Sequence, residues 1–369
     1  MDHRFSGTAF TVGIEEELML VDPRTLELAQ GIESILADVD GATPGMVKPE
    51  LMRAVLEIAT DPCPDLARAE EELRALRRRV RESAERHGMS LAAAGTHPTG
   101  RGEEQLITAR PRYEELAEEL GWIARQELIF GTHVHIGIDS PDKAIYVADG
   151  IRRHLPLMLA ISSNSPLWRG EATGMMSSRT PVFRAFPRVG VPPHYGTWEV
   201  FSSRVDLMVR AGAISDHTYL WWDVRPHPDF GTVEVRVFDQ QTRLEETVSL
   251  AALSLSLAHR YSEDFESGEP LVEVPTELID DNKVRAALRG LEGELIDLPR
   301  RRHAPAAELA HEMVEDLRSD ARALGCEEAL LGLRDLIDSG TGARRQLRFL
   351  DDGGDVPGLV RHLCEEAAR

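Results

Sequence analysis

The chain has 369 residues, of which 42% are hydrophobic and 28% are charged, and it is long enough to bury a sizeable core. Its formal net charge of −21 argues against a general nucleic-acid or membrane-surface binder, because such proteins need a basic footprint. A local group of arginines could still bind a small anionic substrate. Three cysteines without metal-ligand spacing, together with an N-terminal stretch that lacks an apolar core, favour a cytoplasmic protein that has no membrane partner.

The first quarter of the chain shows strand and helix patterns. Residues 8–22 alternate apolar and polar side chains, as a β-strand does, and end in the turn sequence DPRT. Residues 49–60 carry helical or mixed signals. Residues 65–87 form the clearest amphipathic helix, with Asp65 as its N-cap candidate. We interpret the arginine run of this helix as a solvent-exposed face with i,i+4 ion pairs and not as a binding patch.

The middle of the chain predicts strands, helices and one long loop. Residues 90–98 indicate a buried strand that runs into a turn, and residues 112–128 indicate a helix. Residues 130–139 favour a strand, and residues 141–163 favour a helix. The stretch 164–200 is rich in Pro, Gly, Ser and Arg and has little periodicity. Such a segment inside a compact protein is more often a functional loop than a tether.

The last part of the chain is mostly helical. A strand predicted at 232–241 precedes helices predicted at 244–262 and at about 305–337. Strands and helices alternate irregularly, and neither GxGxxG nor GxxxxGK[ST] occurs in the sequence. We therefore expect an α+β protein with a mostly antiparallel sheet. We expect a single catalytic domain over residues 1–369, with a helical C-terminal part, 263–369, packed on it.

Three predicted strands each carry two ionisable residues at positions i and i+2 on one face and mainly apolar residues on the other. The pairs are Glu15 with Glu17, His133 with His135, and Glu234 with Arg236. Because side chains alternate between the two faces of a strand, each pair shares one face. One common site explains three chemically matched pairs, whereas solvent-exposed strand faces are the alternative. Glu16 points with the apolar set, where the strand edge would reach water, and we leave it outside the site.

A fourth segment adds two carboxylates to this set. If residues 49–60 are helical, Glu50 and Glu57 lie two turns apart on one helix face. Surface glutamates on an amphipathic helix are the alternative. The predicted metal ligands are Glu15, Glu17, Glu50, Glu57, His133, His135 and Glu234. This oxygen-rich set suits Mg²⁺ or Mn²⁺ better than zinc, and several divalent ions would relieve the repulsion between the carboxylates.

Four arginines complete the predicted chemistry. Arg236 shares its strand face with Glu234, Arg179 and Arg184 lie in the long loop, and Arg225 precedes the late strand. Guanidinium groups beside metal ions serve both phosphoryl transfer and carboxylate recognition. For each loop arginine, a structural salt bridge is an equally good explanation.

The histidine pair also fits two other classes of protein. In a zinc-dependent amide or ester hydrolase, the HxH sequence would bind zinc, and a metal-bound hydroxide would attack the substrate. This alternative needs more ligating histidines, for which His194, His217 and His227 are the candidates. A non-catalytic protein that binds metal or nucleotide is the third class.

Five sequence segments together resemble the bacterial glutamate–cysteine ligase type 2 family, over most of the chain. The segments are TVGIEEELMLVDP, PELMRAVLEIATDPC, GTHVHIGI, SSNSPLWRGEATGMMSSRT and WWDVRPHPDFGTVEVRVFD. The resemblance implies a glutamine-synthetase-like catalytic fold, in which an antiparallel sheet forms a funnel for ATP, two or three Mg²⁺ ions and glutamate. It also implies an ATP-dependent carboxylate–amine ligase that forms an acyl phosphate and releases ADP and phosphate.

The resemblance assigns roles to the residues named above. It makes the first-strand glutamates, the second acidic pair and the histidine pair parts of the metal site, and it makes Glu234 a late-strand metal ligand. Arg236 becomes the phosphate arginine. Apart from the resemblance, we expect Arg184 to contact the nucleotide together with Arg236. Arg179 and Arg225 become candidates for the glutamate carboxylate or the acyl phosphate. We expect small-molecule substrates and a homodimer.

Overall fold

The computed structural model describes residues 1–39, 44–297 and 300–368, and it contains both strands and helices. The strands are β1 (Val12–Val21), β2 (Met46–Pro49), β3 (Val55–Ala59), β4 (Ser90–Ala92), β5 (Gly131–Gly137), β6 (Leu167–Trp168), β7 (Glu171–Ala172), β8 (Val189–Gly190), β9 (Trp221–Trp222), β10 (Val224–His227), β11 (Thr232–Asp239), β12 (Glu294–Asp297) and β13 (Arg302–Pro305). The helices are α1 (Ile32–Val39), α2 (Leu66–Arg86), α3 (Pro111–Leu120), α4 (Pro141–Ile151), α5 (Leu155–Ser162), α6 (Arg179–Phe183), α7 (Trp198–Arg210), α8 (Leu244–Glu266), α9 (Thr276–Arg289), α10 (Ala306–Asp316), α11 (Arg318–Ala323), α12 (Glu327–Ser339), α13 (Gly342–Asp351) and α14 (Val356–Ala367).

A seven-stranded sheet organises the fold. Its strand order is β10-β11-β5-β1-β3-β2, and β4 also pairs with β1. All of these pairings are antiparallel. The strands predicted at 8–22, 130–139 and 232–241 are confirmed as β1, β5 and β11, which lie next to one another. The predicted α+β class with a mostly antiparallel sheet is confirmed.

Helices cover the apolar face of this sheet. Val134 and Ile136 of β5 and Ile14 of β1 are fully buried in one hydrophobic cluster with residues of α8. The sequence LAALSLSLA predicts this arrangement, because a helix that is apolar all round must be buried. Residues of α10 and α12, among them Val314 and Leu330, belong to the same cluster. The β12–β13 hairpin interrupts the helices of the C-terminal part. The division into one catalytic domain with a helical part, 263–369, packed on it stays a prediction.

The helical interpretation of residues 49–60, whose signals are helical or mixed, is wrong. β2 ends at Pro49, and β3 covers Val55–Ala59, with all five of its residues buried. β3 pairs with β1 on one side and with β2 on the other. The apolar sequence VLEIA fits a central strand equally well, and two strand partners decide the outcome.

Three other predicted helices are shorter than expected. The helix at 112–128 ends at Leu120, because Gly121 adopts a positive φ of 54° that favours glycine. The helix at 141–163 divides into α4 and α5, and Pro156 is at the start of the second. The helical region at 305–337 divides into α10, α11 and α12. Among the described residues, no helix combines the length and apolarity needed to cross a membrane.

Glu16 lies in the core and not at the water-exposed edge of the strand. Its side chain is fully buried, and its carboxylate accepts hydrogen bonds from Arg77 Nε at 2.5 Å and Arg77 Nη2 at 2.6 Å. Thr247 Oγ1, at 2.6 Å, and Gln240 also donate to it. The prediction that the arginine run of α2 is solvent-exposed is therefore wrong at Arg77, which is also buried.

We predict that Arg77→Met destabilises the protein by about 3–5 kcal/mol, because it leaves the buried Glu16 carboxylate without its charge partner. Urea unfolding gives the free energy of unfolding. Arg78→Met is the matched control, since Arg78 is exposed and has no ion-pair partner among the described residues. Equal stability of the two variants would contradict the prediction.

His97 introduces a pH dependence of stability away from the sheet. It is 1% exposed, and its Nδ1 accepts a hydrogen bond from the Thr99 backbone N–H at 3.3 Å. Burial lowers the pKa of His97 to about 4, against about 6.5 in the unfolded chain. The unfolded chain therefore binds a proton first as the pH falls. The stability contribution of neutral His97 is complete above pH 6.5 and is lost as the pH falls toward 4.

We predict that the wild type loses about 2 kcal/mol more stability between pH 8 and pH 5 than His97→Gln does. The measurement is the free energy of unfolding in urea at both pH values. His303→Gln, a change at an exposed histidine, should lose as much as the wild type. If His97→Gln and His303→Gln show the same loss, the buried neutral imidazole is not the cause.

Candidate active site

Strand register brings the predicted polar pairs together on one face of the sheet. Glu15 of β1 lies opposite His133 of β5, and Glu234 of β11 lies opposite His135. Directly opposed residues in adjacent strands project to the same face, so these side chains are neighbours. The same register places Glu17 opposite Glu57 of β3. The shared face that the sequence predicts is therefore present.

A β-bulge in β11 interrupts the alternation beside Arg236. The register with β5 shifts between Val235 and Phe238. Phe238 consequently enters the hydrophobic core, whereas simple alternation would place it on the same face as Glu234. Bulges commonly re-aim side chains beside functional sites. Here the bulge keeps Glu234 and Arg236 on the site face and still provides a core residue two positions later.

The polar face lines a cavity of about 530 Å³. Every predicted site residue except Arg184 lines it. Six aromatic side chains also line it: Tyr113, Phe183, Phe186, Tyr219, Trp221 and Phe230. A cavity of this size, with convergent charged groups, has the volume of a small-molecule site.

A first ligand group consists of Glu15, His133 and Glu234, each with a candidate ligand atom within 4.8 Å of the others. His133 Nδ1 is 3.2 Å from Glu15 Oε2. Burial opposes ionisation of Glu15, but the hydrogen bond with His133 and the neighbouring His135 imidazole hold its pKa well below the usual value. Burial also lowers the pKa of His133 to about 4. This group therefore presents ionised carboxylates and a neutral imidazole.

Two arginines fix Glu234. Arg225 Nε donates to Glu234 Oε2 at 2.6 Å, and Arg236 Nη1 donates to Glu234 Oε1. Although burial opposes it, these two charges hold the pKa of Glu234 well below its usual value. Arg225 also donates to the backbone carbonyls of Thr218, at 3.1 Å, and Leu220, at 2.6 Å. Arg225 therefore positions Glu234 and has few donors left for a substrate.

A second ligand group consists of Glu17, Glu50 and Glu57, and its electrostatics are opposite to those of the first group. Their candidate ligand atoms lie within 4.8 Å of one another. Burial, followed by the charges of neighbouring glutamates, raises the pKa of Glu50 well above its usual value. Burial likewise raises the pKa of Glu17 to about 7. Three carboxylates this close need a cation to be ionised together.

The donor set of both groups fits divalent cations. Carboxylate oxygens with a minority of imidazole suit Mg²⁺ or Mn²⁺. The buried Nε2 atoms of His133 and His135 have no hydrogen-bond partner within the described ranges. A buried imidazole nitrogen that has no hydrogen-bond partner and lies among carboxylates is typical of a metal ligand in the metal-free protein.

The additional histidines that a zinc hydrolase needs are not in either ligand group. His194 Nε2 lies 3.4 Å from Asp149 Oδ2. His227 stacks on Phe230 with ring centroids 4.1 Å apart, and His217 lies against His227. In the part of the chain that the structure describes, each candidate metal group contains at most one histidine.

The two loop arginines have different surroundings. Arg179 is buried, and its Nη atoms donate to the carbonyls of Val237 and Arg236 at 3.4 and 3.3 Å. A Cβ at Gly131 would overlap Arg179 Nη2, so a larger residue there would displace this guanidinium from its present position. Arg184 pairs with Asp280 at 3.2 Å and does not line the cavity. The structure therefore does not bring Arg184 to the predicted nucleotide site.

Sequence analysis missed four charged residues that line the cavity, namely Lys48, Arg112, Glu127 and Asp229. Lys48 donates to Glu57 Oε1 at 2.8 Å and lies opposite Glu57 in the β2–β3 pairing. Burial raises the pKa of Glu127 to about 8, with Glu17 adding to the effect. A strand prediction for the segment that contains Glu57 could have indicated Lys48. A hairpin of two strands there would have placed the lysine opposite the glutamate. Glu127 follows a short 3₁₀ helix, and no sequence pattern indicates it.

Comparison with known proteins gives one family. The profile of "Glutamate-cysteine ligase family 2" matches residues 11–366. The Rubrobacter xylanophilus protein named "Putative glutamate--cysteine ligase 2-1" is 42% identical over 365 residues, which cover 99% of this chain and 96% of that protein. The protein of the same organism named "Putative glutamate--cysteine ligase 2-3" is 44% identical over 370 residues and all of both chains.

Two solved structures share the fold at low sequence identity. The glutamate–cysteine ligase of Francisella tularensis, solved in complex with AMP, has a TM-score of 0.71 at 12% identity, covering 100% of this chain and 90% of that one. A bifunctional glutathione synthetase from Pasteurella multocida has a TM-score of 0.69 at 16% identity. The match covers 98% of this chain and 52% of the synthetase, so the chain spans about half of that protein's length. The predicted glutamine-synthetase-like fold class is confirmed.

We predict that the protein binds at least two Mn²⁺ ions and that Glu50→Gln weakens one of them about tenfold or more, because it removes one ligand of the second group. Electron paramagnetic resonance of free Mn²⁺ during a titration measures both affinities. Glu115→Gln is the control, since Glu115 is exposed and does not line the cavity. Unchanged binding by Glu50→Gln would remove Glu50 from the ligand set.

Proposed function

Because this carbon–nitrogen ligase belongs to glutamate–cysteine ligase family 2, we propose that it activates the γ-carboxylate of glutamate with ATP and joins it to an amine. The carboxylate attacks the γ-phosphorus of ATP, which gives an acyl phosphate and ADP. The amine, which is cysteine or another amino acid or amine, then displaces phosphate and forms the amide. Location in the cytoplasm and assembly as a homodimer stay predictions.

The observation that carries this proposal is the pairing of two three-ligand groups with buried arginines in one cavity. Phosphoryl transfer is catalysed mainly by positioning and by charge stabilisation, and it needs no protein nucleophile. The site offers that chemistry. Cys63, the only cysteine close to these strands in sequence, is buried, and burial raises the pKa of its thiol to about 11. It does not line the cavity.

The metal ligands and the arginines have separate tasks. Two or three Mg²⁺ ions, held by the first and second groups, would neutralise phosphate oxygens of ATP. Arg236 keeps its buried Nε without a partner among the described residues, and so does Arg179. These two donors are suited to the transferred phosphoryl group or to the substrate carboxylate. Arg225 acts through Glu234, which it orients by the 2.6 Å hydrogen bond.

Product analysis tests the reaction. The protein is incubated with Mg²⁺–ATP, glutamate and a panel of amino acids and amines, and ADP and phosphate are measured. Mass spectrometry of the same samples identifies any γ-glutamyl amide. Amine-dependent ADP release with the matching product mass is the expected result and names the acceptor. No turnover with any amine, together with zinc-dependent cleavage of an amide or ester panel, would favour the hydrolase.

We predict that Glu234→Gln lowers the rate of ADP formation at least about 100-fold, because it removes a metal ligand and the charge that holds Arg225 and Arg236 in place. Steady-state ADP release measures the rate, and circular dichroism checks that the variant is folded. Glu199→Gln, at an exposed position on α7, should keep the wild-type rate. Normal ADP formation by folded Glu234→Gln would refute the shared site.

A further inference from the structure

Lys48 contacts a carboxylate of each ligand group. Its Nζ is 2.8 Å from Glu57 Oε1 in the second group and 3.6 Å from Glu15 Oε1 in the first. The cross-strand register, in which Lys48 of β2 lies opposite Glu57 of β3, fixes this position. The ammonium group therefore lies between the two places where the site needs cations.

The second group has few other positive charges. The site's strongest arginine contacts go to Glu234, which belongs to the first group. Among the residues that the structure describes, Lys48 is the only lysine or arginine within 4.0 Å of a carboxylate oxygen of Glu17, Glu50 or Glu57. Its single positive charge offsets part of a repulsion that two or three divalent charges would remove.

The choice of lysine is informative in this chain. Only three of the 42 basic residues are lysines, at positions 48, 143 and 283, and all the others are arginines. A guanidinium holds a carboxylate through a rigid two-point fork, whereas an ammonium is a compact point charge on a flexible stem. A cation that must leave a carboxylate when a metal arrives is better made from lysine. Lys48 is also the one lysine that lines the cavity.

We propose that the Lys48 ammonium is a resident cation of the acidic site, which keeps Glu57 and Glu15 in place before loading and is displaced from Glu57 when a divalent ion binds. The inference rests on the proposed metal-dependent function. Lys48 is then a positioning residue that lowers the metal affinity of the second group, because the metal ion must displace its ammonium group from Glu57. The released ammonium then becomes available to an anionic ligand in the same cavity.

Mn²⁺ binding without substrate tests the exchange. Lys48→Met removes the competing charge, and we expect Mn²⁺ to bind the second group about tenfold more tightly than in the wild type. Lys48→Arg keeps the charge in a fork that holds Glu57 more firmly, so Mn²⁺ should bind several-fold more weakly. Lys143→Met, whose lysine pairs with Asp139 and Glu266 away from the cavity, should match the wild type. Equal or weaker binding by folded Lys48→Met would overturn the inference.

Lysine modification of the wild type gives a second readout that needs no variant. An acetylating reagent is applied with and without saturating Mn²⁺, and mass spectrometry measures modification at each lysine. Loss of the Glu57 contact should raise the modification rate at Lys48 several-fold, with Lys143 and Lys283 unchanged. An unchanged rate at Lys48 in a protein that does bind Mn²⁺ would overturn this inference alone. A wild type that binds no Mn²⁺ would overturn the proposed function as well.

Discussion

The run Glu15–Glu17 in a central strand is the constraint on which the rest of the structure depends. Consecutive residues of a strand face opposite sides, so the run sends two carboxylates into the cavity and one into the core. The core carboxylate, Glu16, is neutralised by Arg77 of α2, with Thr247 and Gln240 completing its hydrogen bonds. The two outer carboxylates belong to different ligand groups. One short strand segment therefore ties the packing of α2 and α8 to the geometry of the site.

The two ligand groups solve the same repulsion in different ways. In the first group, arginines of the protein balance Glu234, and the two histidines hydrogen-bond to Glu15 or lie beside it. In the second group, burial and mutual repulsion raise the pKa of the glutamates, and Lys48 is the nearby cation. The first group is thus electrostatically prepared before any ion arrives, whereas the second depends on what binds there.

The sequence was most informative where the ionisable site residues recur at every second position of a strand. The alternation in the strands around Glu15, His133 and Glu234 predicts both the faces and the residues that meet on them, and the register confirms the meeting. The helical interpretation of residues 49–60 failed because a short apolar run fits a helix or a strand, and only pairing with neighbouring strands distinguishes the two. The partnership of Glu16 with Arg77 spans 61 positions and leaves no local signal. Arg184 shows the same limit: it was predicted to contact the nucleotide, and no local pattern indicates that Asp280 binds it.

The bulge in β11 determines which change of length this strand can accept. Upstream of the bulge, Glu234 faces the cavity, and downstream of it Phe238 faces the core, although both positions are even-numbered. Because a bulge is one extra residue in its strand, deleting one residue between them would restore regular alternation and leave Phe238 opposite Thr132 and in the core. The loss would fall on Arg179, because the adjacent carbonyls of Arg236 and Val237 both accept hydrogen bonds from its Nη atoms. A shortened β11 should therefore keep its core side chain and lose part of the support of a buried arginine in the cavity.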